Sequence, residues 1–436
     1  MDAQVSIVEH LSNFSTLSSN MPTAFLSVQP SSWSGPVLVG AFLGYAALCS
    51  IFRFRRINAL QSRLGFHDRK SLGRMTNEEA HQIVRNIANF EFPLFYDLSV
   101  RLALFETYAV QPVAKLLYAV SDLNIWEKAP KRYADTEVVY CCFASYSPAS
   151  PGLHKAVARM NYLHAPYIKA GKILQEDLLY VLYASMAEPV RFLGLYEWRE
   201  LKDMEVAALG TMWKYVADMM EIDYKTILKK DTWVDGLEFF EDVSRWGEIY
   251  EDEHLRPSKE INELGHLLMN MLLQSHAKVA RPLGYPAACV LMGPRLRRAF
   301  GFPEPGLGIT VLTYSLLLAR KLTVRYLCLP RFTPSLYISQ PDEQTGRISA
   351  YHYMKEPWYV ASTFWSRWNP EALFTRLAGG LLPGDGGADI KPEGFLPEDL
   401  GPERFVGKGV EEGEVMEQEV KKRISLGCPF SAAAKA

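Results

Sequence analysis

One stretch of the chain places an imidazole on an apolar helical face. In LHKAVARMNYLHAPY, the residues Leu153, Val157, Met160, His164 and Tyr167 recur at spacings of three and four, so they share one side of a helix. His164 is therefore predicted to point toward the core. Two interpretations are open. Periodicity alone favours a core histidine hydrogen-bonded to a carbonyl. The alternative is an axial ligand of haem iron, because a neutral imidazole in an apolar pocket serves that role.

A second pair of polar residues precedes this helix. Arg132 and Thr136 are four residues apart in KRYADT and lie on one face if the segment is helical. Such a pair can hold a carboxylate or a propionate through a charge-assisted bond and a hydroxyl. The alternative interpretation is a helix start whose charges are solvated.

Together these residues resemble the haem-binding core of the rubber oxygenases (latex clearing protein) and the MpaB-type ER-bound oxygenases of fungal mycophenolic acid biosynthesis. The resemblance covers roughly residues 90–330. The segments FEFPLFY at 90–96 and RMNYLH at 159–164 are most similar to the fungal MpaB type. That type also has a membrane helix ahead of its catalytic domain.

The resemblance implies a haem b held by His164, with Arg132 and Thr136 matching the family's Arg and Thr near the haem. It also implies oxygenolytic cleavage of a carbon–carbon double bond in a prenyl chain, with the farnesyl side chain of a mycophenolic acid intermediate as the favoured substrate. The partners so implied are O2, a hydrophobic prenylated molecule and the ER membrane. A haem-dependent hydroxylase and a non-catalytic haem-binding or scaffold protein of the same fold are the alternatives.

The chain departs from the rubber oxygenases beside the threonine. Asp135 replaces their lysine and is a catalytic candidate of unknown role. Glu106, Asp135 and Glu137 are the candidates for a catalytic base, although a carboxylate is more often simply solvated or paired.

The other residues that could bind a haem or a metal have weaker support in the sequence. His266 and His276 are nearly three helical turns apart, too far for one metal site on one helix, although His276 is a minor alternative haem ligand. Cys428 lacks the surrounding pattern of a haem-thiolate enzyme.

We interpret the six scattered cysteines as neither a zinc module nor a disulfide framework. The net charge of -2 argues against a nucleic-acid partner, and no phosphate loop, nucleotide fingerprint or nucleophile elbow is evident.

These residues require a helical scaffold, and the chain predicts one. Thr76 followed by Glu79 resembles a capping box and predicts the start of a helix. Residues 33–53 are apolar enough to cross a bilayer as a single helix. The basic segment RFRR at 53–56 follows it, and the positive-inside rule then places the larger, C-terminal part of the chain in the cytosol. We expect a short lumenal tail at 1–32 and a single-pass ER membrane protein. Residues 54–378 are predicted to form an all-α, globin-like haem-binding domain. The apolar run Leu307–Ala319 is expected to be a buried core helix, with interfacial contact as the minority interpretation. Residues 379–436 are rich in Gly, Pro and Glu and predict an extended tail that is either wrapped on the surface or mobile.

Overall fold

The prediction of a mainly helical, all-α protein is confirmed. The computed structural model describes residues 35–274, 281–423 and 427–430. Within these ranges there are isolated β-bridges but no strands. The predicted lumenal tail at 1–32, the start of the anchor at residues 33 and 34, and His276 lie outside the described residues. The helices are α1 Gly35–Leu64, α2 Arg69–Leu72, α3 Asn77–Asn86, α4 Pro93–Thr107, α5 Gln111–Val120, α6 Ala129–Ser145, α7 Pro151–Lys169, α8 Gln175–Tyr196, α9 Asp203–Met219, α10 Tyr224–Leu228, α11 Gly236–His254, α12 Lys259–Gln274, α13 Arg281–Leu291, α14 Gly293–Ala299, α15 Leu307–Leu327, α16 Phe364–Trp368, α17 Pro370–Leu377 and α18 Val410–Arg423.

Helix α1 has two different surfaces along its length. Its first half is apolar and exposed, as a lipid-facing helix should be, and the helix continues eleven residues past the predicted end at 53. From Cys49 onward one side is buried against the rest of the protein, through Arg53, Ile57 and Leu60. The anchor and the domain therefore share one continuous helix.

The main core is built by helices that lie side by side. α4 packs along α8, and α9 packs between α3 and α11. Helix α3 begins directly after Thr76. The Thr76 side chain accepts a hydrogen bond from the Glu79 N–H at 3.2 Å, and the Glu79 carboxylate accepts one from the Thr76 N–H at 2.9 Å. This reciprocal pair confirms the capping box and fixes where α3 begins.

The prediction that residues 307–319 form a buried core helix is wrong. α15 extends to Leu327, and Thr313 is its one buried residue. Leu307 is 79% exposed and Leu316 is 62% exposed. Apolar composition alone cannot distinguish a helix that faces protein from one that faces lipid, which is why the sequence misled here. By length and apolar composition α1, α8 and α15 could each cross a membrane, but α8 is mostly buried inside the domain.

The C-terminal segment packs against the helical domain. Short 3-10 turns at Pro397–Asp399 and Glu403–Phe405 lead into α18, which lies along α7. Phe395 and Leu400 are almost completely buried. This segment thus contributes to the core and approaches the helix that carries His164.

Candidate active site

A large apolar cavity lies between helices α4 to α9. It holds about 1330 Å³ of atom-free space, part of which is open solvent, and aliphatic and aromatic side chains form most of its wall. The polar side chains in the wall include His164, Arg132, Thr136, Asp135 and Arg159. The structure therefore brings four of the residues predicted from the sequence, His164, Arg132, Thr136 and Asp135, to one apolar cavity.

Helix α7 positions His164. Ser150 caps the helix by accepting a hydrogen bond from the Gly152 N–H at 3.2 Å, and Pro151 occupies the first helical position, where its missing N–H costs nothing. As predicted, Leu153 and Val157 are buried on one face, and His164 continues that face into the cavity. The fold thus places the imidazole where the helical periodicity indicated.

The imidazole of His164 is neutral at physiological pH. Its removal from water lowers its pKa to about 4, and the positive charge of Arg132 contributes in the same direction. The ring lines the cavity and is partly accessible, whereas its Nδ1 atom is buried and has no hydrogen-bond partner in the described part of the chain. A neutral imidazole with an unsatisfied nitrogen beside a cavity can bind a metal.

Other histidines have structural environments. His154 pairs its Nε2 with the Pro148 carbonyl at 2.8 Å, and His81 bonds to the backbone of Ala144. The His266 ring lies 5.0 Å from the Phe302 ring in a second, smaller core. Cys428 donates through Sγ to the Gly73 carbonyl at 3.1 Å. None of these four residues lines the main cavity.

The protein's own side chains do not form a complete metal site here. Among the residues that the structure describes, no group of three or more His, Cys, Asp or Glu side chains could hold a metal ion. Among the described residues, His164 is the one histidine that lines the main cavity.

Arg132 and Thr136 lie on one face of α6, as predicted. Arg132 is only 13% exposed and donates through Nε to the Ser121 carbonyl at 3.0 Å, while Thr136 donates to the Arg132 carbonyl at 3.1 Å. The alternative of a helix start with solvated charges does not hold for Arg132. Its guanidinium is fixed at the wall of the cavity, where it can bind an anionic group.

Asp135 is a buried carboxylate with a full set of donors. Lys131 Nζ lies 2.8 Å from it and the Arg132 guanidinium 2.7 Å. The Tyr359 hydroxyl donates at 2.6 Å and the Gly401 N–H at 3.0 Å. Two cations and two neutral donors thus surround its two oxygen atoms. Its geometry is that of a group that positions Arg132 and attaches the C-terminal segment to α6.

The two glutamate candidates lie outside the main cavity. Glu137 lines a smaller neighbouring cavity that shares Leu104, Tyr140 and Trp213 with the main one, and it pairs with Arg101. Burial raises the pKa of Glu137 to about 7, against the opposing charge of Arg101. Burial and nearby carboxylates raise the pKa of Glu106 well above its ordinary value, but Glu106 lines neither cavity. Of the two, Glu137 is better placed to hold a proton near the cavity.

Sequence reasoning missed Arg159. This residue is 3% exposed and lines the cavity five positions before His164. Its guanidinium donates to four backbone carbonyls of the C-terminal segment, those of Glu398, Leu400, Phe405 and Lys408, at 2.7 to 3.2 Å. The available signal was an arginine between apolar residues on a helix predicted to be buried, since a buried arginine must find acceptors.

These hydrogen bonds from Arg159, which we call the guanidinium clamp, bring the backbone of the C-terminal segment to the cavity wall. Leu400 and Gly401 line the cavity, and Gly401 has a φ of +122°. A Cβ atom at this position would lie 2.9 Å from the Leu163 side chain. The backbone conformation thus favours glycine, and a larger residue would also displace the end of the Leu163 side chain.

The chain is similar to known fungal enzymes. A family model described as ER-bound oxygenase mpaB/B'/Rubber oxygenase, catalytic domain, matches residues 132–320. The ER-bound oxygenase mpaB' of Penicillium brevicompactum is 35% identical over 399 residues, which is 91% of this chain and 94% of that protein. The ER-bound oxygenase mpaB of the same organism is 33% identical over 370 residues, 84% of this chain and 88% of the relative. The ER-bound oxygenase mpaB of Penicillium roqueforti (strain FM164) is 34% identical over 267 residues, 61% and 90% of the two chains.

Proposed function

Because the chain belongs to the family of ER-bound mpaB-type oxygenases and rubber oxygenases, and is therefore an oxygenase, we propose that it binds haem b through His164 and cleaves a carbon–carbon double bond in a prenyl side chain. The observation that carries this proposal is the neutral imidazole of His164, with an unpartnered nitrogen, in the wall of a large apolar cavity.

The residues around the cavity fit a haem. His164 would be the iron ligand, since its neutral form offers a lone pair. The Arg132 guanidinium would bind a propionate, with Asp135 holding the guanidinium in place. When bound, haem b supplies an iron with a coordination position open to O2.

The protein's contribution to the reaction is binding of the substrate. The aliphatic wall of the cavity accommodates a hydrocarbon chain. Cleavage of a double bond by O2 balances without a reductant, since the C=C and O–O bonds break and two C=O bonds form. We therefore expect turnover without an added reductase once the iron is in its working state. A strict requirement for a reductase in a purified assay would contradict this mechanism.

The membrane fits the proposed substrate. The relatives are named ER-bound, and α1 provides an apolar helix long enough to cross a bilayer. A farnesyl chain partitions into lipid, so an enzyme held at the ER membrane with its catalytic domain in the cytosol meets this substrate at high local concentration. We propose the farnesyl side chain of a mycophenolic acid-type intermediate as the substrate.

The first test is an absorption spectrum of the purified full-length protein, with and without dithionite. We expect a haem spectrum in the wild type that is lost in His164→Ala, with helical circular dichroism retained. His266→Ala is the matched control, because this ring lies in the second core, and it should keep the spectrum. A wild type that contains no haem after expression in haem-replete cells would refute the proposal.

Product analysis separates the proposed reaction from its alternatives. With a farnesylated phenol and O2, alkene cleavage gives shortened carbonyl products, whereas hydroxylation keeps all carbons. A haem-binding scaffold gives neither product. Mass spectrometry of the reaction mixture distinguishes these three outcomes.

A further inference from the structure

Helix α15 exposes an apolar surface that no part of the described chain covers. Leu307, Leu316 and Leu318 are 79%, 62% and 57% exposed. Val311, Leu312, Tyr314 and Leu322 are exposed as well. A contiguous apolar surface of this kind is unusual on a soluble domain and marks contact with a membrane or another protein.

The chain is attached to the folded domain both before and after α15. Before the helix, Phe302 is buried in the second core. After it, Arg53 of α1 donates to the carbonyls of Cys328 and Leu329 at 3.1 and 3.0 Å. A helix that crosses a bilayer has its ends on opposite sides, so α15, about 32 Å long at 1.5 Å per residue, does not cross.

The middle of α15 is also fixed to the domain by charged side chains. Arg320 donates to the Glu197 carboxylate at 2.7 Å, and its guanidinium lies 4.0 Å from the centre of the Phe95 ring. Arg325 lies 5.7 Å from the Phe54 ring of α1. These contacts hold the C-terminal half of α15 against the domain, while apolar side chains remain exposed along the length of the helix.

The exposed face is continuous with the lipid-facing part of α1. The Tyr45 hydroxyl, in the exposed apolar half of α1, donates to the Leu327 carbonyl at the end of α15 at 3.1 Å. Val37, Phe42 and Leu43 on the preceding turns of α1 are all more than half exposed. The same bilayer that surrounds this half of α1 therefore reaches α15.

A second apolar patch lies near the same end of the domain. α16 and α17 expose Phe364, Trp365, Phe374 and Leu377, each by 69% or more. Leu98 of α4 lines a cleft with Ala372 and Thr375 of α17, one turn from the Phe95 ring that contacts Arg320. The patch and α15 therefore flank the first turns of α4. Tryptophan and phenylalanine are typical of segments that lie at the membrane interface.

We propose that α15 lies in the plane of the membrane, in the leaflet on the domain side, as a second membrane contact beside the spanning helix α1, and that the α16–α17 patch inserts next to it. The partner is the lipid bilayer itself, through acyl chains below the headgroups. This contact fixes the domain flat against the membrane instead of leaving it attached through α1 alone. The proposal does not depend on haem or on the oxygenase reaction.

Spin labels on full-length protein test the proposal. Leu316→Cys and Leu312→Cys are labelled with a nitroxide in a Cys328→Ser, Cys428→Ser background, and the protein is reconstituted with one copy per phospholipid nanodisc. Val415→Cys is the matched control, because it is 63% exposed on α18. We expect dissolved O2 to relax the labels at 312 and 316 more strongly than an aqueous nickel chelate does, and the reverse at 415. Equal access of the chelate to 316 and 415 would overturn the proposal.

Two further readouts exclude the other arrangements. A membrane-impermeant maleimide should modify Glu304→Cys, in the exposed loop just before α15, in sealed vesicles from the same side as Val415→Cys, whereas modification from the opposite side would indicate a spanning helix and refute the interfacial one. Protection of position 316 that appears only in discs holding two copies would indicate a second chain as the occupant and would also overturn the proposal.

Discussion

Replacing Arg159 by lysine tests whether one buried side chain holds the C-terminal segment on the cavity. The arginine serves four backbone carbonyls between residues 398 and 408. A lysine keeps the charge but offers a compact head that can reach about two of them. We expect the loss of about two charge-assisted hydrogen bonds at about 1.5 kcal/mol each, hence roughly 3 kcal/mol less protection of this segment against local opening.

Limited trypsin digestion measures that opening. Lys408 is exposed, but its carbonyl is held by Arg159, so cleavage after Lys408 requires the segment to open. When opening is fast relative to cleavage, a change of about 3 kcal/mol accelerates cleavage by roughly a hundredfold. The rate is read by mass spectrometry of the released C-terminal peptide.

Arg256→Lys is the control for this experiment. Arg256 also donates to backbone carbonyls, those of Asp252 and Glu253, but at the exposed end of α11. We expect its cleavage rate after Lys408 to equal that of the wild type. If Arg159→Lys were cleaved no faster than this control, the guanidinium clamp would not be what holds the segment, and the reasoning would be refuted.

Three further predictions concern single residues. Asp135→Asn leaves two partly buried cations, Lys131 and Arg132, without their anion, so we expect a loss of roughly 1.5–3 kcal/mol in the free energy of unfolding, seen as a lower melting temperature, and weaker haem retention because Arg132 is no longer held. Glu137 has a raised pKa of about 7, so its contribution to stability is complete below the unfolded-state pKa and is lost as the pH rises through 7. The stability of the wild type relative to Glu137→Gln should therefore fall by roughly 3 kcal/mol between pH 4.5 and 7.5, and a constant difference would contradict the assigned shift. Thr76→Ala removes the cap of α3 and should cost about 1 kcal/mol, measured as faster hydrogen exchange in the first turn of that helix.

Local patterns predicted the elements that local physics determines. The three- and four-residue spacing around His164 placed that side chain on the correct face of α7, since neighbouring turns of one helix decide which residues point inward. The Thr76 capping box marked the start of α3 for the same reason. In both cases the interacting groups lie within a few residues of one another.

The partners of Asp135 could not be read from the sequence, because they come from distant parts of the chain. Tyr359 is 224 positions away and Gly401 is 266 positions away. Only the tertiary fold shows that this carboxylate is saturated with donors, which changes it from a candidate base to a positioning residue. The prediction that α15 is buried was wrong for a related reason, since its apolar composition fits a protein core and a lipid-facing surface equally well.

The C-terminal wall of the cavity has a consequence for biosynthesis. The residues that line the cavity extend from Leu104 to Gly401. During translation α1 leaves the ribosome and can enter the membrane long before residues 398–408 have been synthesised. Only after that can Arg159 form its hydrogen bonds to them. The cavity is therefore completed only near the end of synthesis, after α1 has had time to reach the membrane. A nascent chain halted before residue 398 should be integrated in the bilayer yet lack a finished site.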